Sequence, residues 1–580
     1  MHKAASPRRA LQSIRSSISR EYRKLNCLPS RAYSVLRQHR NETVDINDPK
    51  HPFYNNASGR WLYNEQLRLS ERHLHFQIHE LCAIIAKSVD QSSDDITRFT
   101  KIAEGGSYRI FEATFRDGFN VIARLPYPST IPRKYGVASE VATMEFLRLH
   151  GVPIPKVFDW NSSLSNSVGS EYIIMEKASG KELNSIWYTM TLKERMVLMD
   201  KVVRIEQTLF GMQFPANGSI FYKDSLEPGV KSVDLPQTIT DSAKFCIGPS
   251  TEHLWWFQKR HEVSVNHGPW DSSEDVLKAV GDRELRWLQK FGKLRYPHEE
   301  ALYREFYGNQ KVDPQVQIGH LSSYLKLAPY LVPKTTELNA PTIRHPDLSP
   351  SNIFVSESGD ITGVIDWQHA TILPIFLQAK IPKHFQNYGD EDSENFKPPR
   401  LSPNFDTLSD SAKEEEMETY RRRQVHFFYV GFTDRLNEPH FHAMGKHNLV
   451  LRNRLYDTAC RPWEGDNTSL QAELIYTLQQ WPEIVPRGNK PPVQYSAEET
   501  KECLERYGKQ NEADEQVQKM RDFIGVNIDG WLPNDGFEEA KEKAEYMKNA
   551  MLGEAETEEE RKVLLEHWPF QDHEEIDEDW

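Results

Sequence analysis

The sequence predicts an α+β chain of two lobes: a small antiparallel-sheet lobe carrying one key helix, then a larger, mainly helical lobe. Three observations predict it. Between about residues 96 and 125, short apolar runs alternate with turn signals, including the hairpin pair Asp117-Gly118. One amphipathic helix follows over about 137–150, stopped by Gly151 and Pro153. From Glu182 onward the pattern is mostly helical and rich in tryptophan.

The 580 residues are 38% hydrophobic and 11% aromatic, enough for a sizeable core, so wholesale disorder is excluded. The longest apolar run, Leu81 to Ala86, is far short of the roughly 18 residues a membrane-spanning helix needs, so no transmembrane segment is expected. Five cysteines, widely spaced and without a CxxC pair, exclude a disulfide scaffold and a zinc ribbon. A net charge of −14 argues against nucleic acid as a partner.

Taken in order, residues 1–40 form a basic leader with ten Lys/Arg and the single acid Glu21, which leaves the rest of the chain at −23. The leader is rich in Ser and Arg, has Leu11, Ile14 and Ile18 at helical spacing, and reads as a mitochondrial transit peptide. Arg31-Ala32-Tyr33-Ser34 resembles a matrix-peptidase site with cleavage before Ser34, so the expected partner of this leader is the mitochondrial import machinery. Residues 41–95 read as an N-terminal extension with a helical pattern from Trp61 to about Ser88.

Residues 96–180 form the strand-rich lobe. Lys101 to Glu104 ends a strand, Gly105-Gly106-Ser107 is a flexible loop, Tyr108 to Phe115 and Phe119 to Leu125 are strands, and Pro126 closes the last. The glycine pair joins strand to strand, which separates it from a Walker A loop. On the helix, Val137, Val141, Met144 and Leu147 share one face, and Glu140 projects beside that face. A carboxylate there is costly unless paired. Tyr172 to Met175 is a continuous apolar strand ending in Glu176. Residues 181–550 are the helical lobe, with a polar surface insertion at 386–420, and 551–580 form an acidic tail around a short helix.

The chemistry concentrates at 345–367. His345-Pro346-Asp347-Leu348-Ser349-Pro350-Ser351-Asn352 precedes the apolar strand Ile353-Phe354-Val355; a turn leads to a second strand, Ile361 to Ile365, ending in Asp366-Trp367. Such a hairpin returns Asp366 beside Asn352. An amide oxygen and a carboxylate meeting at a strand end are hard ligands suited to Mg²⁺, and Asp347 is left to face a substrate hydroxyl. The plain alternative is an ordinary hairpin with acidic turn residues.

This order and spacing resembles the His-x-Asp-Leu-x-x-x-x-Asn catalytic loop and metal aspartate of kinase-like phosphotransferases. With Gly59-Arg60-Trp61-Leu62, Ala103 to Gly106, Val121 to Pro126, Ala138 to Met144, Ile154 to Val157, Glu171 to Glu176, Phe245 to Pro249 and Gly268-Pro269-Trp270, the chain from about Ser58 resembles the aminoglycoside phosphotransferase family. The likeness is to its fungal branch, which includes the altered-inheritance-of-mitochondria proteins. The resemblance implies a two-lobed protein-kinase-like fold with ATP in the cleft. It implies that Gly105, Gly106 and Ser107 cover the phosphates, and that Arg124 stands where protein kinases place a phosphate-binding lysine. Glu140 then holds Arg124 by an ion pair, and backbone groups from Glu176 to Ala178 read the adenine edge. Asn352 and Asp366 hold Mg²⁺, and Asp347 orients or deprotonates the acceptor. Arginine at 124 is a departure from protein kinases that this family often shows. Ser349 in place of a lysine, and the lack of an Ala-Pro-Glu segment after Asp366, favour a small-molecule hydroxyl over a protein as acceptor. The implied activity is ATP- and Mg²⁺-dependent phosphoryl transfer in the mitochondrion. The alternative is a catalytically inactive nucleotide-binding or structural protein of the same fold.

Overall fold

The computed structural model describes residues 48–297, 307–308, 310–445, 447–485 and 489–573; the basic leader, 1–40, lies outside the described residues. The small lobe is a five-stranded antiparallel sheet of β2 (Ile96–Glu104), β3 (Tyr108–Phe115), β4 (Asn120–Pro126), β5 (Val157–Asn161) and β6 (Tyr172–Glu176), in the spatial order β2-β3-β4-β6-β5. Gly118 takes φ 86° in the β3–β4 turn, a conformation that favours glycine and makes the Asp-Gly pair effective there. One helix, Tyr135–Leu149, interrupts the strands between β4 and β5, and Gly151 follows it at φ 84°.

Both faces of this sheet are covered. Tyr108, Ile122, Ile173 and Met175 pack on the 135–149 helix. Phe111, Ala113 and Phe115, with Val121, Ala123 and Leu125, pack instead on Tyr54, Leu74, Phe76, Leu81 and Ile85 of the N-terminal extension. In that extension, where the spacing predicts helix from Trp61 on, β1 (Gly59–Trp61) is a strand paired with Trp531–Pro533 near the other end of the chain. Helices α1 (Glu65–Glu71) and α2 (Ile78–Ser88) follow; calling the 135–149 helix α3 continues the series. Helical spacing and the half-buried side of a short strand both suit this stretch, and the long-range pairing decides between them.

The rest is mainly helical, as the sequence predicts, with small sheets inserted. A two-residue strand, β7 (Lys181–Glu182), leads to α4 (Leu192–Gly211), which a Thr191/Glu194 capping box starts. Then β8 (Ser219–Tyr222), β9 (Val233–Asp234) and β10 (Phe245–Gly248) form an antiparallel sheet, which the helical reading of this stretch did not foresee. It packs Phe221 and Cys246 on Ala138, so α3 is covered on this side as well and buries ten of its fifteen residues.

Helices α5 (Ser273–Phe291) and α6 (Pro314–Leu331) build the far core. A strand-rich stretch follows, with β11 (Pro341–Ile343), β12 (Ile353–Val355), β13 (Ile361–Val364) and β14 (Ile372–Pro374). Residues 386–420 contain a short helix at Glu391–Glu394 and enter α7 (Asp410–Leu436), which packs on α4. Helices α8 (His447–Cys460), α9 (Ser469–Gln479) and α10 (Ala497–Ile524) lead to β15 (Trp531–Pro533). Last come α11 (Phe537–Glu554) and α12 (Glu558–Glu566), after which Trp568 and Phe570 are buried against Tyr63, Met520 and Met547. No helix among the described residues is long and apolar enough to cross a membrane.

Candidate functional site

The β12–β13 hairpin meets the small lobe directly, with the Val364 N–H donating to the Pro153 carbonyl (2.7 Å). β7 pairs with β12 through Phe354↔Glu182 and Val355↔Lys181, which stitches the segment after β6 to the β12–β13 hairpin. Gly180, at φ 92°, lies against the Val355 backbone with no room for a Cβ. Glu176 is exposed at the end of β6, and Ala178, half-buried, faces Gly363 of β13. The segment that includes Glu176 and Ala178 therefore borders the hairpin that carries Asn352 and Asp366.

Four side chains from distant parts of the sequence interlock here. Arg124 on β4 donates from Nη1 to Glu140 Oε1 (2.5 Å) and from Nη2 to Asp366 Oδ1 (2.9 Å). Glu140, 1% exposed, also accepts from the Tyr108 hydroxyl at Oε2 (2.6 Å). The Tyr108 ring lies under the guanidinium, 4.3 Å from ring centroid to Cζ. Burial alone would weaken the charge on Arg124, but Glu140 and Asp366 outweigh it and raise its pKa. Burial and the Glu140 carboxylate push the Tyr108 phenol well above its ordinary range, so it stays a donor. This arrangement gives a reason for arginine at 124: a planar fork aims one terminal nitrogen at each carboxylate in a fixed geometry, where an ammonium on a flexible stem sets no such direction.

The 345–352 loop is fixed by its own hydrogen bonds. His345, 4% exposed, accepts the Asp347 N–H at Nδ1 (3.1 Å) and donates from Nε2 to the Ile365 carbonyl (2.8 Å). Burial holds its pKa down, and the two bonds fix the neutral Nε2–H tautomer. Asn352 donates from Nδ2 to the Asp347 carbonyl (2.8 Å) and to its Oδ2 (3.3 Å), while the Ile365 N–H donates to the Asn352 carbonyl (3.0 Å). Asp347, Asn352 and Asp366 thus share one end of the hairpin, and Asp347 is exposed. Asp366 holds φ 68°, a left-handed conformation that a non-glycine residue adopts at some cost and that re-aims its carboxylate toward Arg124. Among the described residues no donor is assigned to Asn352 Oδ1 or Asp366 Oδ2, and no group of three His, Cys, Asp or Glu is placed to hold a metal.

The glycine loop closes over this end. Gly105 N–H donates to the Tyr108 carbonyl (2.9 Å); Tyr127 N–H (2.9 Å) and the Thr130 hydroxyl (2.6 Å) donate to the Ser107 carbonyl. A Cβ at Gly106 would meet nothing within 4 Å, so the space around that backbone is open to an approaching group. Gln368, two residues past Asp366, donates from Nε2 to Ser107 Oγ (3.3 Å) and so ties the loop to the hairpin end. Hydrogen bonds join Glu140, Arg124 and Asp366, join Asp347 to Asn352 on the same hairpin end, and tie that end to Ser107 of the glycine loop. Sequence reasoning missed Tyr108 and Gln368; the signal available for Tyr108 was its place directly after the glycine loop, on the face shared with Ile110.

No family model matches this chain. It is 29% identical over 507 residues to a subtelomeric hrmA-associated cluster protein of Aspergillus fumigatus, covering 82% of this chain and 96% of that one. It is 26% identical over 524 residues to the mitochondrial altered inheritance of mitochondria protein 9 of Yarrowia lipolytica (85% and 86% covered), and 24% over 582 residues to that of Saccharomyces cerevisiae (87% and 90%). This chain resembles the altered-inheritance-of-mitochondria protein 9 group. Several members of the group are named as mitochondrial proteins, from Candida tropicalis and Zygosaccharomyces rouxii as well. Among solved structures, a thermostable mutant of an aminoglycoside phosphotransferase in ternary complex with AMP-PNP and hygromycin B is 15% identical, covering 70% of this chain and 99% of its own at a TM-score of 0.32. The superposition is loose, and the kinase-like fold rests on the strand order, the helix between β4 and β5, and the helical second lobe described above.

Proposed function

We propose that the chain is an ATP- and Mg²⁺-dependent phosphotransferase that moves the γ-phosphoryl group of ATP to a hydroxyl of a small molecule in the mitochondrion. One observation carries the reading: Arg124, Glu140 and Asp366 are joined by hydrogen bonds at the hairpin end that also bears Asp347 and Asn352, beside the Gly105–Ser107 loop. The donor set suits the metal. Asn352 Oδ1 and Asp366 Oδ2 are hard oxygens of the kind Mg²⁺ takes, with phosphate and water completing its shell. When bound there, the cation would offset charge on the β- and γ-phosphates.

The chain's own residues supply the rest. Backbone N–H groups of Gly106 and Ser107 and the Arg124 guanidinium hold the phosphates, the Gly105 N–H shapes the loop by its bond to the Tyr108 carbonyl, and Glu140 with Tyr108 keeps Arg124 from wandering. Asp347 accepts the proton of the acceptor hydroxyl as its oxygen bonds to the γ-phosphorus and the bond to the ADP oxygen breaks. The backbone from Glu176 to Ala178 reads the adenine. The basic leader and the mitochondrial names of the relatives support the location. A second reading, a nucleotide-binding protein without turnover, is favoured by one feature: the Arg124–Asp366 pair engages an oxygen of the residue assigned to the metal.

The test is a metabolite-pool screen with labelled ATP, using Asp347→Asn as the blank. The variant should bind nucleotide and lose turnover by about 10²–10⁴, the range for removing a general base. Equal transfer by the two proteins would refute the role of Asp347. Nucleotide binding without transfer in the wild type would select the second reading.

A further inference from the structure

The glycine loop is held at its root by three buried charges that the proposed chemistry does not use. Lys101, Glu104 and Arg109 have side chains only 8%, 3% and 0% exposed. All three reach into the N-terminal segment 52–72. Lys101 Nζ donates to the carbonyls of Pro52 (2.5 Å) and Asn55 (3.0 Å) and pairs with Glu104. Glu104 Oε2 accepts the N–H groups of Ala57 (2.9 Å) and Ser58 (2.8 Å). Arg109 donates to the carbonyls of Phe53 and Arg72, each at 3.0 Å, with its Nε 3.7 Å from Glu104 Oε1. Glu104 and Arg109 are register partners, one on each side of the loop. Both roots of the loop are therefore bolted to the same segment.

That segment is in turn held by the far end of the chain. Gly59–Trp61 pairs with Trp531–Pro533, Asn534 Nδ2 donates to the Ala57 carbonyl (2.8 Å), and Asp572 accepts the Asn64 N–H (2.6 Å). The chain reaches these points from α10, whose Cys503 packs on Ala472 and Ile475 of α9 in the helical lobe. A continuous path of contacts thus runs from the helical lobe through β15 and β1 to the glycine loop, separate from the 177–180 connection.

We propose that Glu104 and Arg109 are positioning residues through which this clasp of the two chain ends sets the mobility of the glycine loop, and so the grip on a nucleoside triphosphate. The role for the loop rests on the nucleotide reading above; the mechanical coupling does not. Two substitutions test it from opposite ends. In Gly59→Val, the new Cβ would stand 2.5 Å from the Leu532 carbonyl oxygen and from the Trp531 ring, which opens the β1–β15 pair without touching the small lobe. Glu104→Gln keeps the shape and weakens the bolt itself.

Hydrogen exchange on the full chain should show β15 freed in Gly59→Val, with exchange at 104–108 raised about tenfold; Glu104→Gln should give the same rise with β15 still protected. Both should weaken Mg·ATP binding by about tenfold while binding of adenosine, which has no phosphates, stays within about twofold. A general loss of structure would move both ligands together. If β15 opens and exchange at 104–108 does not change, or if Glu104→Gln leaves that exchange as in the wild type, the coupling is refuted; should Gly59→Val fail to fold, Glu104→Gln decides alone. A wild type that binds no Mg·ATP would refute the nucleotide reading while the exchange result still judges the clasp.

Discussion

Glu140→Gln isolates the charge at the centre of the site. The substitution preserves volume and can preserve contacts: the amide oxygen can still accept from Arg124, and the amide NH₂ can turn its donor to the Tyr108 oxygen. What disappears is the negative charge opposite a guanidinium whose own side chain is 7% exposed. Two charge-assisted hydrogen bonds, at about 1.5–3 kcal/mol each, become neutral-acceptor bonds at about half that strength. Breaking a buried ion pair from one side costs about 3–5 kcal/mol, because the remaining charge is left under-compensated. Asp366, still bonded to Arg124, limits the damage, so about 3 kcal/mol is expected. Native-state hydrogen exchange at 121–126 and 137–147 reads this locally, which matters in a chain too large for a single unfolding step. A Mg·ATP titration should weaken in parallel, since the freed guanidinium turns further toward Asp366. Protection within about 1 kcal/mol of wild type, with unchanged Mg·ATP affinity, would mean that Glu140 neither stabilises nor aims Arg124.

Two further substitutions probe neighbouring groups. Asp366→Ala should abolish the stabilisation by Mg·ATP in a thermal-shift titration, and an unchanged shift would remove Asp366 from the metal site. Glu171, buried beside the Lys134 N–H it accepts (2.6 Å), has its pKa pushed by burial to about 7. A carboxyl raised in the folded state favours folding below the ordinary value near 4.5 and loses that contribution as pH rises to about 7. Glu171→Gln should therefore stabilise the surrounding structure by about 2–3 kcal/mol at pH 8 and change little at pH 4.5, read by hydrogen exchange at 172–176 relative to wild type at each pH; equal effects at the two pH values would refute the burial account.

What could be read from the sequence was local. Asp117-Gly118 makes its turn through two residues, α3 announces itself through Val137, Val141, Met144 and its Gly151 stop, and Asp347, Asn352 and Asp366 lie within twenty residues on one hairpin. The carboxylate of Glu140 on an apolar face signalled a buried cationic partner, and the partner is Arg124. Arg109 carried the same signal unread: it shares a strand face with Phe111, Ala113 and Phe115, where only a buried set of acceptors could keep it. The β8–β10 sheet and the strand nature of Gly59–Trp61 were illegible for a different reason. Strands of two to four residues carry too little periodicity, and their partners are chosen by tertiary packing far along the chain.

The pairing of β1 with β15 also dictates an order of events in synthesis. Trp61 donates its indole N–H to Asp529, 468 residues later. At about 5–20 residues per second, a ribosome needs roughly half a minute to a minute and a half to deliver that partner. Throughout this interval Trp61 lacks its strand partner and Tyr63 lacks the cluster that buries its ring, because Trp531, Leu532, Phe537 and Trp568 do not yet exist. The nascent chain must therefore leave the Tyr63 ring open to the solvent, or to a chaperone, until almost the last codon has been read.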